Sequence, residues 1–339
     1  SGSRSIKYGS TIDNVLEITF IDGNGNKRIL PKNKHLGKKI VSCITIDEKR
    51  IPKTSKNSSG YRIDKIKSEK NAHKIIVGSE GTLGIILSAK LSIKNKPKKR
   101  ILFIIEYESI FEAAKNSIEI NKTKPSTLEF VDKNTLKQIK FNFSKKAKCV
   151  LYIEYDEKIN TVEKKLKSKN KGKIIQKLTK STDMDKWWRY RDSSLHYSLK
   201  SIRMEMRTPH IIEDAAVPLE KIPNLFSTLK KIEKKYQAKM VIYGHIGNGN
   251  MHVRLIMEKN KTKLIKNIAI EYFNDVIKNQ GTISAEHGDG LARSEFIKQQ
   301  YGEKNFRTFK KIKQLMDPNY ILNPGKIISK KSTMIKNLT

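Results

Sequence analysis

The sequence predicts an α+β chain of about two domains. Three observations lead there. At 339 residues the chain is long for one core. It is 37% hydrophobic and 31% charged, the balance of a globular protein rather than a low-complexity tail. Segments of period 2 and period 3.6 mix without strict βαβ alternation, and no internal repeat appears. No run approaches the roughly 18 apolar residues of a transmembrane helix.

Residues 15–21 (VLEITFI) read as a strand, Asp22-Gly23-Asn24-Gly25 as a turn, and 27–30 as the returning strand of a hairpin. Residues 31–74 look polar and irregular. Residues 75–77 and 85–87 read as strands around the glycine-rich turn 78–84, and Asn95-Lys96-Pro97 as a boundary. Strands are then expected at 101–107 and 149–155, and helices at 110–120 and 158–169. Trp187-Trp188-Arg189-Tyr190-Arg191 is expected to open a helix. Residues 222–236 are amphipathic, with Leu225, Phe226, Leu229 and Ile232 on one face. Residues 240–256 read as a hairpin and 264–277 as a helix; a mostly helical segment from 294 to 316 is stopped by Asp317-Pro318.

The formal charge of +36 suggests nucleic acid at first sight. Only 12 of the 70 basic residues are Arg, however, and the lysines are scattered rather than interleaved with aromatics. Phosphate and base recognition leans on the arginine fork, so a solvated lysine surface is the simpler reading and no nucleic-acid partner is expected. Two cysteines, Cys43 and Cys149, are too few for a disulfide framework, a zinc finger or an iron–sulfur cluster. Sparse cysteine and a polar opening without a signal-peptide pattern suit a cytoplasmic protein.

Three clusters carry chemistry. In Tyr243-Gly244-His245-Ile246-Gly247-Asn248-Gly249-Asn250-Met251-His252, three glycines argue against a helix. Read as a hairpin turning between Asn248 and Gly249, the segment makes His245 and His252 mirror positions. Opposed cross-strand Cβ atoms lie about 4.5–5.5 Å apart, so the two imidazoles could grip one divalent metal; a hydrogen-bonded pair of hairpin histidines is the alternative. Ser284-Ala285-Glu286-His287-Gly288-Asp289-Gly290 offers Glu286 as a third ligand and His287 as a base, or simply a capping loop. Gly78-Ser79-Glu80-Gly81-Thr82-Leu83-Gly84 lets a backbone approach a ligand closely, yet it has neither the lysine of a P-loop nor the spacing of a Rossmann turn.

Taken together these segments resemble a known family. Gly78 to Ile86 is similar to the hallmark of the vanillyl-alcohol-oxidase (PCMH-type) FAD-linked oxidases. Gly244-His245 through His252, Glu286-His287-Gly288, Glu213-Asp214-Ala215-Ala216-Val217-Pro218 and Asn323-Pro324-Gly325-Lys326-Ile327 resemble its branch of D-lactate dehydrogenases, glycolate oxidase FAD subunits and D-2-hydroxyglutarate dehydrogenases.

The resemblance implies a partial PCMH-type FAD-binding domain over 1–97. A FAD-linked oxidase C-terminal (cap) domain, an antiparallel sheet with flanking helices, would cover 98–330, leaving a tail over 331–339. It places the family's pyrophosphate-cradling glycine loop upstream of residue 1, so the chain is expected to be a fragment.

It implies FAD contacts at Gly78, Ser79, Gly81, Thr82, Gly84, Ile86 and Asn323. His245, His252 and Glu286 match ligands of a divalent metal (Zn, or Mn/Fe). His287 matches the acceptor of the substrate hydroxyl proton, and Arg191 a clamp on the substrate carboxylate. The implied reaction is FAD-dependent oxidation of a D-2-hydroxyacid, with hydride leaving C2 for flavin N5.

Three positions depart from the pattern: Asn248 replaces a usual Asp, Arg254 an Asn and Ile212 a Lys of the hydroxyglutarate enzymes. Asn248 removes a charge that could orient a metal-binding histidine; Arg254 and Ile212 turn the expectation toward a lactate-like or glycolate-like acid, with Arg254 as a second carboxylate contact. Electrons would pass to a separate acceptor (an iron–sulfur protein, cytochrome, quinone or electron-transfer flavoprotein), reached in the cytoplasm or peripherally at a membrane. A homodimer is compatible with these features. Two rival readings stay open: a degenerate scaffold that binds polyanions, and an alcohol or sugar oxidase of the same fold without the metal.

Overall fold

A computed structural model describes residues 2–136, 141–200, 206–258, 261–329 and 334. Ser1 and nearly all of the expected 331–339 tail lie outside the described residues. The chain forms two compact units, one of residues 9–94 with 282–339 and one of residues 1–8 with 95–281. Residues 282–339 pack with 9–94 rather than with 95–281. The reason is a shared core. Ile297, Tyr301, Phe309 and Ile312 lie in one apolar cluster with Phe20, Leu30, Ile40 and Leu83.

In the 9–94/282–339 unit, β1 (Val15–Ile21), β2 (Lys27–Leu30) and β3 (Ile85–Leu91) form an antiparallel sheet in the order β2-β1-β3. The β1–β2 turn closes as expected. The Asp22 carboxylate accepts from the backbone N–H of Asn24 and Asn26, and Gly25 supplies a φ of 79°. The polar stretch contains a helix, Lys34–Cys43, that the pattern did not suggest. Only Leu36, Gly37 and Ile40 of it are buried, and Asn33 caps it by accepting from the Leu36 N–H. The expected strand at 75–77 is absent. A 3-10 segment, Glu69–Ile75, ends there and buries Ile75 and Ile76 from a helical turn; a three-residue apolar run has no period to decide between the two. Helix Ile297–Met316 ends at Asp317, as expected.

In the other unit an antiparallel sheet runs in the order β7-β4-β6-β5-β10-β11-β8, with β9 also paired to β11. Its strands are β4 (Ile101–Tyr107), β5 (Thr127–Asp132), β6 (Cys149–Tyr155), β7 (Lys173–Leu178), β8 (Met206–Arg207), β9 (Ala215–Ala216), β10 (Lys239–His245) and β11 (Asn250–Glu258). Every residue of β4, β5 and β6 is buried, so both faces are covered. On one face Phe130 meets Phe226 of helix Ile222–Tyr236, ring centroids 5.1 Å apart. On the other, Trp187 of helix Ser181–Lys200 packs on Tyr152 at 5.9 Å. That helix starts six residues before the Trp pair, where Ser181-Thr182-Asp183 supplies polar residues suited to an N-terminus. Among the described residues no helix is long and apolar enough to cross a membrane.

Candidate active site

The register of the sheet builds the first half of the site. Tyr243 pairs with His252 and His245 with Asn250, so the hairpin turns about Gly247 and Asn248. The expected turn centre, between Asn248 and Gly249, was one residue too late. His245 and His252 are therefore diagonal rather than directly opposed. A diagonal offset of two residues keeps both side chains on one face, and their ring centroids stand 5.1 Å apart. The turn is fixed by close packing. A Cβ at Gly249 (φ 68°) would sit 1.9 Å from the Val217 carbonyl oxygen, and one at Gly247 would sit 2.4 Å from Ile6.

Each histidine is anchored through Nδ1. β10 also pairs with β5, where Tyr243 opposes Val131. Two residues further along each strand, the fully buried Glu129 accepts from His245 Nδ1 at 2.7 Å. His252 Nδ1 lies 3.2 Å from the Glu213 carbonyl oxygen and 3.8 Å from the Asp214 carboxylate. A carbonyl or carboxylate can only accept, so both Nδ1 atoms carry the proton in the neutral rings. The lone pair then falls on Nε2, the atom a metal takes, and two neutral imidazoles with carboxylates behind them suit a divalent cation.

Both expected carboxylate-binding arginines lie here, and both are already paired. Arg191 Nη2 donates to Glu129 Oε2 at 2.5 Å and its Nη1 to Asp192 at 3.2 Å. Burial works against the Arg191 charge, but Glu129 and Asp192 outweigh it and keep the guanidinium protonated. Arg254 donates to Glu213, which also takes His210 Nδ1 at 3.2 Å. Tyr243 joins the two: Arg191 stands over its ring, 5.8 Å from the centroid, while burial pushes up its hydroxyl against the opposing Arg254 charge. Asn248, at the tip of the turn, accepts from the Ser5 hydroxyl at 3.0 Å.

The 9–94/282–339 unit holds the other candidate residues. Glu286 accepts from Lys56 Nζ at 2.9 Å, and that lysine is wholly buried. His287, next to it, is exposed. The Glu80 carboxylate reaches this segment and accepts from the N–H groups of Asp289 (2.6 Å) and Gly290 (2.9 Å). Glu80 thereby ties the glycine loop to the 286–290 segment. Burial and the nearby Glu80 push the Asp289 carboxyl up to about 7.

The expected cofactor loop has two characters. Gly78 (φ 77°) and Gly81 (φ 69°) are exposed, and a Cβ on either would meet nothing within 4 Å. Beyond them, β3 exposes its apolar residues: Ile85, Ile86, Leu87 and Leu91 are each more than half exposed. Bare peptide next to an apolar strand suits a flat ring edged with polar atoms, so the loop fits a flavin.

Ser79, Thr82 and Gly84 face inward instead. The Thr82 hydroxyl bonds Tyr61 and the Ser79 carbonyl, and a Cβ at Gly84 would stand 2.6 Å from Phe20. Asn323 is exposed and donates to the Glu80 carbonyl at 2.5 Å.

Sequence reasoning missed Glu129, Lys56 and the latch made by Glu80. Glu129 had a signal: it is a carboxylate inside the buried strand Thr127–Asp132, two positions from Val131 on the same face. Lys56 had none, being one lysine in a chain crowded with them.

Residues 96–327 match the family model described as FAD linked oxidases, C-terminal domain. Glycolate oxidase subunit GlcD of Bacillus subtilis is 29% identical over 342 residues, covering 97% of this chain and 66% of that protein. The mitochondrial D-lactate dehydrogenase [cytochrome] of Arabidopsis thaliana is 23% identical over 341 residues, covering 97% of this chain and 54% of that protein. Among solved structures, p-cresol methylhydroxylase with substrate bound superimposes with a TM-score of 0.58 at 14% identity, over 97% of this chain and 67% of that one. The chain thus spans 54% to 66% of the length of these two curated relatives.

Proposed function

The chain belongs to the FAD-linked oxidases, and we propose that it oxidises a small D-2-hydroxyacid, lactate-like or glycolate-like, with FAD and a divalent metal. The observation that carries this reading is the pair His245 and His252. They share one sheet face, both are anchored through Nδ1, and two arginines stand on the same network.

The metal is assigned to His245, His252 and, on the sequence resemblance, Glu286; it supplies a Lewis acid that makes the substrate hydroxyl more acidic. FAD is assigned to Gly78, Ser79, Gly81, Thr82, Gly84, Ile86 and Asn323, and it supplies the acceptor for the hydride that leaves C2. The chain's own residues do the rest. Glu129 keeps the His245 Nδ1 proton in place and so aims Nε2. Arg191 pairs with the substrate carboxylate while Glu129 holds the guanidinium. His287 takes the hydroxyl proton on its imidazole. Electrons then leave to a separate acceptor, an iron–sulfur protein, cytochrome, quinone or electron-transfer flavoprotein, in the cytoplasm or at a membrane surface.

The test is a visible absorption spectrum of the chain with added FAD and Zn²⁺ or Mn²⁺, followed by anaerobic addition of D-lactate or glycolate. Bleaching of the bound flavin bands by one acid is the expected result. Bound flavin that none of the acids bleaches overturns the substrate assignment. Full activity without metal overturns the role given to the histidine pair.

A further inference from the structure

We propose that Glu213 sets the charge class of the substrate, holding the site to monocarboxylic 2-hydroxyacids by neutralising Arg254. The inference deepens the 2-hydroxyacid reading above and rests on it.

The argument begins with charge. Among the described residues, five ionisable side chains that are each at most 13% exposed tie to the two histidines or to one another: Glu129, Glu213, Asp214, Arg191 and Arg254; Asp192 on Arg191 and His210 on Glu213 are 68% and 55% exposed, so water screens them and they stay outside the count. With each counted as charged and the histidines neutral, three acids against two arginines leave a net charge of −1. A divalent metal on the histidines turns that to +1, the complement of one carboxylate. Glu286, assigned to the metal on the sequence resemblance alone, is paired with Lys56, so the pair adds no net charge to the count. A dianionic acid would leave one negative charge unmatched in a region where Glu129 and Asp214 are fully buried, and a buried unmatched charge is costly.

Geometry makes Glu213 the residue that decides. Arg254 sits on β11 two residues beyond His252, so its side chain leaves the sheet on the face that carries both histidines. Arg191 stands over the Tyr243 ring and Arg254 acts on its hydroxyl, so Arg254 is the second cation of this face and the one open to a second carboxylate. Glu213, itself 6% exposed, already occupies it. His210 on the same carboxylate helps fix Glu213 in that position. Arg191 is shared differently: the Glu129 carboxylate that pairs with it also holds His245, so releasing Arg191 disturbs that anchor, whereas Glu213 holds His252 through its backbone carbonyl and its side chain can release Arg254 without moving that contact. Specificity here is a penalty against the wrong ligand as much as an attraction to the right one.

The experiment compares the wild-type chain, Glu213→Gln and Arg254→Gln, each with FAD and Mn²⁺. D-lactate and D-malate are the substrates, since they differ by one carboxylate. In Glu213→Gln the malate-to-lactate ratio of kcat/KM is expected to rise about tenfold, as a buried charge loses its partner and an incoming anion replaces it. In Arg254→Gln the ratio should fall below wild type.

Calorimetric titration with two unreactive anions, succinate and propionate, supplies a readout that does not need turnover. Succinate should gain affinity relative to propionate in Glu213→Gln and lose it in Arg254→Gln. Active variants whose ratios match wild type overturn the inference alone. A wild-type chain that oxidises no 2-hydroxyacid overturns the reading beneath it. If Glu213→Gln fails to fold, an Arg254→Gln ratio that does not fall is sufficient to reject the proposal.

Discussion

The histidine face of the large sheet and the glycine loop of the small one are built on opposite plans. On the histidine face, polar atoms bind one another: Glu129 holds His245 and Arg191, Glu213 holds Arg254 and His210, and the turn at Gly249 leaves no room for a methyl group. At the glycine loop, Gly78 and Gly81 lie open, and β3 shows apolar side chains to solvent. The proposed metal would need ligands fixed within tenths of an ångström, and a face locked in advance meets that need. The proposed flat cofactor would be met by peptide groups and apolar surface, which need only be accessible.

Removing a proposed ligand breaks that contrast most sharply. His245→Ala should abolish stoichiometric metal binding, read by elemental analysis, and lower kcat by at least about 100-fold, while the flavin spectrum stays unchanged. Loss of the flavin together with the metal would show that the two plans are not separate. His287→Ala should cost on the order of 10²–10⁴ in kcat if it is the general base; an unchanged rate reassigns this exposed residue.

A smaller effect tests the locking itself. Glu129→Gln keeps the shape but removes the charge behind His245, and it should weaken metal affinity about 10–100-fold in competition with a chelator. Equal affinity in the variant would mean that Nδ1 anchoring does not prepare the ligand.

The two glycine environments should also differ in stability. Gly249→Ala is expected to cost about 3 kcal/mol or more, from the positive φ and the clash with the Val217 carbonyl. Gly81→Ala has open space and should cost only the left-handed penalty, about 1–2 kcal/mol. Urea midpoints measure both, and equal losses would erase the distinction between a packed and an open turn.

The mildest prediction concerns pH. The Asp289 carboxyl, raised from 3.8 to about 7 by burial and by Glu80, binds its proton more tightly in the folded state than in the unfolded one. Its contribution is therefore fully present below about pH 4 and is lost as pH rises through about 7. Asp289→Asn should flatten that decline and be the more stable of the two at pH 8. Parallel urea midpoints for both proteins across pH 4–8 would contradict it.

Much of this was legible in the linear order of residues, and the rest was not, for identifiable reasons. Strands at Ile101–Tyr107 and Cys149–Tyr155 and the helix Ile222–Tyr236 follow from runs long enough to show a period. The glycine-flanked histidines announced a hairpin, because three glycines in six residues cannot be a stable helix. The short run Ile75–Ile76–Val77 and the two-residue apolar stripe of Lys34–Cys43 carried too little pattern, and both were misread.

What the sequence by itself determined is therefore the mixed α+β character of the chain and which residue types stand as candidates for chemistry, since residue types and periodicities are local properties. Only the tertiary structure decided which charges meet. It placed Glu129 against His245 across two strands, Glu213 against Arg254 across forty-one residues, and helix Ile297–Met316 in the core of the small sheet rather than the large one. Those pairings depend on strand register and on which core has space for an apolar face, and neither is written in the spacing of the residues involved.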